Sequence, residues 1–207
     1  MVKLTSTLKN SALLIGLSIM SMGTAQMGVA QAAQDYLSPI KQTNPPIGHY
    51  EFCKSNPSEC GQIGQDKGPM QLTRSAWDKM IKINISVNKK IRPLTDMQIH
   101  GVEERWSIPK SVGDCEDYVL LKRAKLIKAG FSPADLLITV VLQPDGAGHA
   151  ILTVRTDYGD YILDNMRNDV RLWHETGYRF IKRQSSQHAG AWMQLNTGSA
   201  RSVGTTN

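Results

Sequence analysis

Apolar positions along the chain change period three times, and each change marks a different kind of element. Residues 11–23 (SALLIGLSIMSMG) form a continuous apolar run behind a start carrying Lys3 and Lys9. The run is too short to cross a bilayer comfortably, and it leads to Ala30-Gln31-Ala32, the small-x-small pattern read by a signal peptidase. Helical spacing follows. Trp77, Met80, Ile81, Val87 and Ile91 predict a helix over residues 73–91, with Thr73 at its N-cap and Pro93 beyond its end. A second helix is predicted over residues 115–129, with Asp114 as N-cap, Glu116 and Asp117 in the first turn, and Gly130 after its end. Its apolar set (Val119, Leu120, Leu121, Ala124, Leu126, Ile127) is broad, which places it in the core. The pattern then shortens to strands at Leu136–Leu142, 149–156, 161–163 and 177–183, punctuated by Pro144-Asp145-Gly146 and Asp157-Tyr158-Gly159-Asp160. Helices first and an antiparallel meander after predict an α+β fold.

The remaining stretches set the organisation. Residues 1–32 read as a signal peptide, 33–69 as an irregular N-terminal region holding a cysteine pair, 70–196 as the folded domain, and 197–207 as a frayed tail. Residues 92–110, with prolines near both ends, read as irregular. With 207 residues, 41% hydrophobic and 20% charged, the chain is neither collagen-like, coiled-coil nor disordered, and it is sized for one domain. The net charge of +6 falls to +4 when Lys3 and Lys9 leave with the first 32 residues, and no dense basic run argues for nucleic acid. Export to an oxidising compartment makes the cysteines informative. Cys53 and Cys60 stand close together in FCKSNPSEC and are expected to close a small disulfide loop, leaving Cys115. That leftover thiol is a candidate nucleophile, or else a buried and inert side chain.

Position favours the nucleophile. In the first turn of a helix, Cys115 would meet unpaired N–H groups that lower a thiol pKa and can hold an oxyanion. The base must be one of five histidines, His49, His100, His149, His174 or His188, and His149 is best placed, after Gly148 at the mouth of a strand. Asp164, closing the next strand in YILDN, is the acceptor that would orient it, which completes a thiol-protease arrangement. One strain remains. A turn at Tyr158-Gly159 puts Asp164 opposite Thr153, leaving His149 about 13 Å further along, a gap that a bulge near Gly148 must close. The Trp106 indole is a candidate second oxyanion donor or a core residue. Asp114, Glu116 and Asp117 surround the thiol with carboxylates that oppose thiolate formation. A hard cation held by their oxygens would cancel that charge; N-capping and helix-dipole complementation is the alternative.

GDCEDYVLLKR, GHAILTVRT and YILDN together resemble the bacterial transglutaminase-like cysteine peptidases, among them the LapG-like periplasmic proteases. The resemblance spans about residues 52–192 and implies a papain-like core in which Cys115, His149 and Asp164 are catalytic. It implies Ca²⁺ on Asp114, Glu116 and Asp117. It also implies a protein substrate, a surface adhesin, and an inner-membrane receptor that sequesters the protease under cyclic-di-GMP control. The Cys53/Cys60 loop and the short connection from His149 to Asp164 depart from the adhesin-processing members and suggest a sister branch. The expectation is therefore an exported, periplasmic, monomeric cysteine peptidase. An acyl transferase or peptidoglycan amidase using the same triad, and a non-catalytic calcium-stabilised binding module, are the alternatives.

Overall fold

The computed structural model describes residues 35–196; the expected signal peptide and the tail from 197 lie outside them. In chain order the elements are β1 (Pro39–Thr43), α1 (Ile47–Ser55), α2 (Arg74–Lys90), β2 (Arg92–Pro93), α3 (Asp96–His100), β3 (Val112–Gly113) and α4 (Cys115–Lys128). Strands β4 (Leu136–Leu142), β5 (Gly148–Thr156), β6 (Gly159–Leu163), β7 (Arg171–Leu172), β8 (Arg179–Gln184) and β9 (Trp192–Leu195) follow. Seven of these strands form one sheet in the order β1-β9-β8-β4-β5-β6-β7, every neighbouring pair antiparallel, while β2 and β3 make a short parallel pair.

Alternation along β4 and β5 divides the core between the two faces of the sheet. Leu136, Ile138, Ala150, Leu152 and Val154 pack under the helices with Met80 of α2 and Val119, Leu120 and Leu126 of α4. Val141 and Ile151 face the other way, with Leu37, Ile162, Phe180 and Leu195. Each of the fully buried aliphatic side chains contributes about 1.5–3 kcal/mol. The predicted caps are only partly realised. Thr73 accepts from the Ala76 N–H at 3.2 Å, as expected, and Gly130 follows α4 at φ +96°. Asp114 stands at the N-cap position of α4, yet its side chain makes no capping bond.

Three expectations need correction. The segment 33–69 is more ordered than its composition suggests: β1 pairs with β9, and α1 buries His49 and Phe52. Pro46 occupies the cap position from which α1 begins. Gly48 is there because of contact, since a Cβ at that position would come within 2.3 Å of the Trp106 indole. The segment 92–110 holds β2 and α3, the latter opened by a Thr95/Gln98 capping box. Finally, Thr156 pairs with Gly159, so the β5–β6 turn is Asp157-Tyr158. This register continues to bring Asp164 opposite Ile151 rather than Thr153, halving the offset from His149, and β4–β5 pairing runs unbroken past Gly148. No bulge is required.

Cys53 and Cys60 are joined, with Cα atoms 5.6 Å apart, and Cys115 is free. Alkylation of the native protein without reductant is expected to label Cys115 alone, and peptide mapping to recover the linked 53–60 fragment. Because the loop is short, replacing both bridging cysteines by serine is expected to cost at most about 3 kcal/mol of stability. Three labelled thiols in unreduced protein would contradict the pairing.

Candidate active site

The chain enters α4 from β3 through extended backbone at Asp114, whose carbonyl accepts from the Tyr118 N–H at 3.2 Å. Cys115 is thus the first helical residue, half-buried, with its Sγ donating to Glu116 Oε2 at 3.0 Å. Burial, then the charge of Glu116 and this hydrogen bond, push the thiol far above its ordinary range, and the backbone N–H of Ala150 pulls the other way. Ala150 is the neighbour of His149, so the thiol lies against the mouth of β5.

His149 is buried there, and its Nε2 lies 2.9 Å from Asp164 Oδ1. Oδ1 also accepts from the Met166 N–H at 2.9 Å, and Oδ2 accepts from the Tyr178 hydroxyl at 2.7 Å. Burial raises Asp164, but these bonds and the field of His149 outweigh it and hold the carboxyl below its ordinary value. An ionised carboxylate can only accept, so Nε2 carries the proton and Nδ1 is the nitrogen left for a thiol. The Tyr178 ring stands edge-on to the imidazole, with centroids 5.7 Å apart. Asn88 of α2 donates to the Asp164 carbonyl at 2.9 Å, fixing the start of the 164–168 loop. The structure therefore bonds His149 to Asp164 and sets Cys115 against Ala150, the next residue along β5. Among the described residues no hydrogen bond joins the thiol to the imidazole; the thiol's bond is to Glu116.

The other histidines are engaged elsewhere. His49 is enclosed by Trp106, Trp192 and the disulfide, and burial, with the field of Arg123, lowers it to about 4. His174 meets Asp35, His188 accepts from the Gly190 N–H, and His100 ends α3. Trp106 is core: its indole N–H donates to Glu104 at 3.0 Å and its side chain is buried.

The acids group differently from their spacing along α4. Asp96, Asp114 and Glu116 each offer one oxygen, all within 4.8 Å of one another. Asp117 turns aside, its Oδ1 accepting from the Ser107 N–H at 2.7 Å and the Ser107 hydroxyl at 3.2 Å. Asp96 comes from α3, which folds back over the start of α4. Nothing in the sequence marks it, since an acid behind Thr95 reads as an ordinary first-turn residue. Burial, with the field of Asp114, pushes Glu116 up to about 8 and Asp117 to about 7, and burial with the field of Asp96 raises Asp114. Asp96 Oδ1 and Asp114 Oδ1 are buried without a hydrogen-bond partner. Buried oxygens that lack donors and converge with a third carboxylate fit a hard, oxygen-seeking cation.

A free thiol at a helix N-terminus beside a buried histidine–carboxylate pair defines a class, the thiol-dependent hydrolases and acyl transferases. Within it, residues 39–200 match the family model of the bacterial transglutaminase-like cysteine proteinases, BTLCP, and the chain belongs to that family. It is a cysteine peptidase with the α+β, transglutaminase-like core expected from its motifs. The match takes in β1 and α1, which the sequence reading had set apart. Among solved structures, Legionella pneumophila LapG is similar at 23% identity over 62% of this chain and 74% of that one, with a TM-score of 0.49. An EGTA-treated form of LapG gives 21%, 58%, 68% and 0.49 in the same order, and a calcium-bound form 20%, 56%, 68% and 0.48. No curated protein matches the chain.

Proposed function

We propose that this chain is an exported peptidase that hydrolyses a peptide bond through Cys115, His149 and Asp164. The buried His149–Asp164 hydrogen bond, at the strand mouth against which the thiol lies, carries the reading. In the reaction, Cys115 Sγ attacks the scissile carbonyl carbon while His149 Nδ1 takes the thiol proton. The tetrahedral oxyanion collects negative charge at the N-terminus of α4, where the Cys115 N–H is one donor. His149 returns the proton to the departing amine, leaving a thioester on Cys115. Water, deprotonated by His149, then attacks that thioester and releases the acid and the free thiol. Asp164 keeps Nε2 protonated and stabilises the imidazolium at each stage.

For the acids the cation is Ca²⁺, held by Asp96, Asp114 and Glu116. It supplies positive charge that offsets the carboxylates beside the thiol. The residues themselves determine the consequence: Glu116 is both the group bonded to the thiol and a member of the acid cluster. The substrate is a surface or periplasmic protein, an adhesin by family resemblance, and the partner an inner-membrane receptor that sequesters a monomeric protease. The leader and the family resemblance support periplasmic location.

Hydrolysis and acyl transfer separate in one experiment. Extracts of surface and periplasmic proteins treated with wild-type enzyme and a fluorescent primary amine are expected to yield new peptide termini that do not carry the amine. Amine-capped products would move the activity to acyl transfer.

A further inference from the structure

Tyr178 touches both members of the buried histidine–carboxylate pair, yet it plays no part in the mechanism above. Its hydroxyl donates to Asp164 Oδ2 at 2.7 Å, and its ring stands edge-on to the His149 imidazole with centroids 5.7 Å apart. His149 and Asp164 are 6% and 3% exposed, whereas Tyr178 is only half-buried, so this ring is part of the cover over the pair. Local bonds hold the tyrosine at that spot. Trp173–Glu175 form one tight 3-10 turn, which Thr176 closes with its N–H and its hydroxyl on the Trp173 carbonyl. Gly177, at φ +75°, turns the chain toward β8, and the Tyr178 N–H donates to Thr176 Oγ1 at 3.3 Å. The side chain also packs against the cluster that includes Ile151 and Phe180.

We propose that Tyr178 is a positioning residue for the triad. It fixes the rotation of the Asp164 carboxylate, so that Oδ1 stays on His149 Nε2, and it keeps water from that bond. The inference rests on the triad reading above. The terminal torsion of an aspartate is broad and roughly two-fold, so donors on one oxygen alone leave the carboxylate plane loosely set. Met166 and His149 both bond Oδ1, and among the described residues Tyr178 is the one donor to Oδ2. Donors on both oxygens fix the plane. That plane matters because the carboxylate holds the imidazole in the tautomer that leaves Nδ1 for the thiol. Excluding water strengthens the bond further, since a hydrogen bond is stronger in the protein interior than in solvent. A half-exposed tyrosine serving only as packing could leave its hydroxyl in water. This one is turned inward onto the carboxylate.

The test compares Tyr178→Phe, which keeps the ring, and Tyr178→Leu, which removes it, with the wild type, all calcium-loaded full chains at pH 7. The first readout is the His149 Nε2–H signal in ¹H–¹⁵N spectra of histidine-labelled protein, assigned by its loss in His149→Ala. It should lie downfield and exchange slowly with water in the wild type. In Tyr178→Phe it should move upfield and exchange faster, and in Tyr178→Leu exchange should erase it. The second readout is the rate at which iodoacetamide captures Cys115. Tyr178→Phe should slow capture about tenfold, the low end for losing a hydrogen bond to a charged group, and Tyr178→Leu should slow it more. In an Asp164→Ala background, Tyr178→Phe should add nothing, because the hydroxyl acts through that carboxylate. Tyr178→Phe carries the test by itself if Tyr178→Leu fails to fold. An unchanged rate in Tyr178→Phe, with His149→Ala slow, overturns the inference and leaves the triad standing. A His149→Ala protein as reactive as the wild type overturns both. A slower Tyr178→Phe protein whose Nε2–H signal is unchanged, or whose slowing persists without the Asp164 carboxylate, assigns the tyrosine to the scaffold and likewise overturns the inference.

Discussion

Cys115→Ala and His149→Ala are expected to abolish hydrolysis while leaving the melting temperature near that of the wild type, whereas Asp164→Asn is expected to retain measurable turnover. The first two remove atoms that form or break bonds: His49, His174 and His188 are bonded elsewhere, His100 lies exposed at the end of α3, and Tyr178 is held as a donor to Asp164. Asp164→Asn is milder for a reason visible in its hydrogen bonds. Oδ1 receives both the Met166 N–H and the His149 Nε2–H, so an asparagine carbonyl oxygen is directed to that position. Its amide group then faces the Tyr178 hydroxyl, which can rotate from donor to acceptor. The imidazole keeps its tautomer and loses only the charge opposite it, a hydrogen bond to a charged group worth about 1.5–3 kcal/mol, or roughly ten- to 150-fold in rate. Asp164→Ala should be more damaging. Equal loss in the Asn and Ala variants would show that orientation is not set by Met166.

Calcium is expected to raise the melting temperature by several degrees at pH 8 and very little at pH 5, and EGTA to reverse the gain and the activity together. The sign follows from the acids at the start of α4. Glu116 and Asp117 are raised to about 8 and about 7, and Asp114 is raised as well. A carboxyl with a raised folded pKa contributes its stability below the ordinary carboxylate range and loses it as pH climbs through the folded value. Metal-free protein should therefore weaken between about pH 4.5 and 8. Lys122, lowered by burial, acts in the opposite direction above pH 7, so calcium is compared with EGTA at each pH. A cation at about 100 times its Kd contributes about 2.7 kcal/mol, or roughly 5–10 °C for a chain of this size. Mg²⁺ should substitute poorly, since it demands tighter octahedral geometry. Asp96→Asn should remove the response and Asp117→Asn should keep it. The reverse pattern would restore the ligand set that α4 alone suggests, and no response in either would return these acids to plain helix-end electrostatics.

Legibility in the sequence followed the range of each interaction. The helices at 74–90 and 115–128 and the strands of the β4–β6 meander are visible because their apolar periods are long and their turns local. Cys115, His149 and Asp164 stood out from helix-start and strand-end chemistry together with family motifs. What stayed hidden depends on distant partners. β9 is four residues long and becomes a strand through β1 and β8. α1 has little amphipathic pattern and is held by Trp106, Trp192 and the disulfide. Asp96 joins the acid cluster only once α3 folds over α4, and a one-residue shift in the Asp157-Tyr158 turn decided whether Asp164 could reach His149. The single cysteine spacing of seven, by contrast, was enough to pair Cys53 with Cys60.

The central claim is that Cys115 reacts as the partner of His149, and it is most exposed where Glu116, rather than the imidazole, bonds the thiol. The direct measurement is the rate of Cys115 alkylation from pH 5 to 9 in calcium-loaded wild-type and His149→Ala proteins, read by intact mass. Paired with His149, the wild-type thiol should react rapidly already at pH 6. The alanine variant should react at least tenfold more slowly there, recovering only at alkaline pH, where an unassisted thiol ionises. Superimposable profiles would mean that the imidazole does not activate the thiol, and the assignment of His149 as base would be wrong.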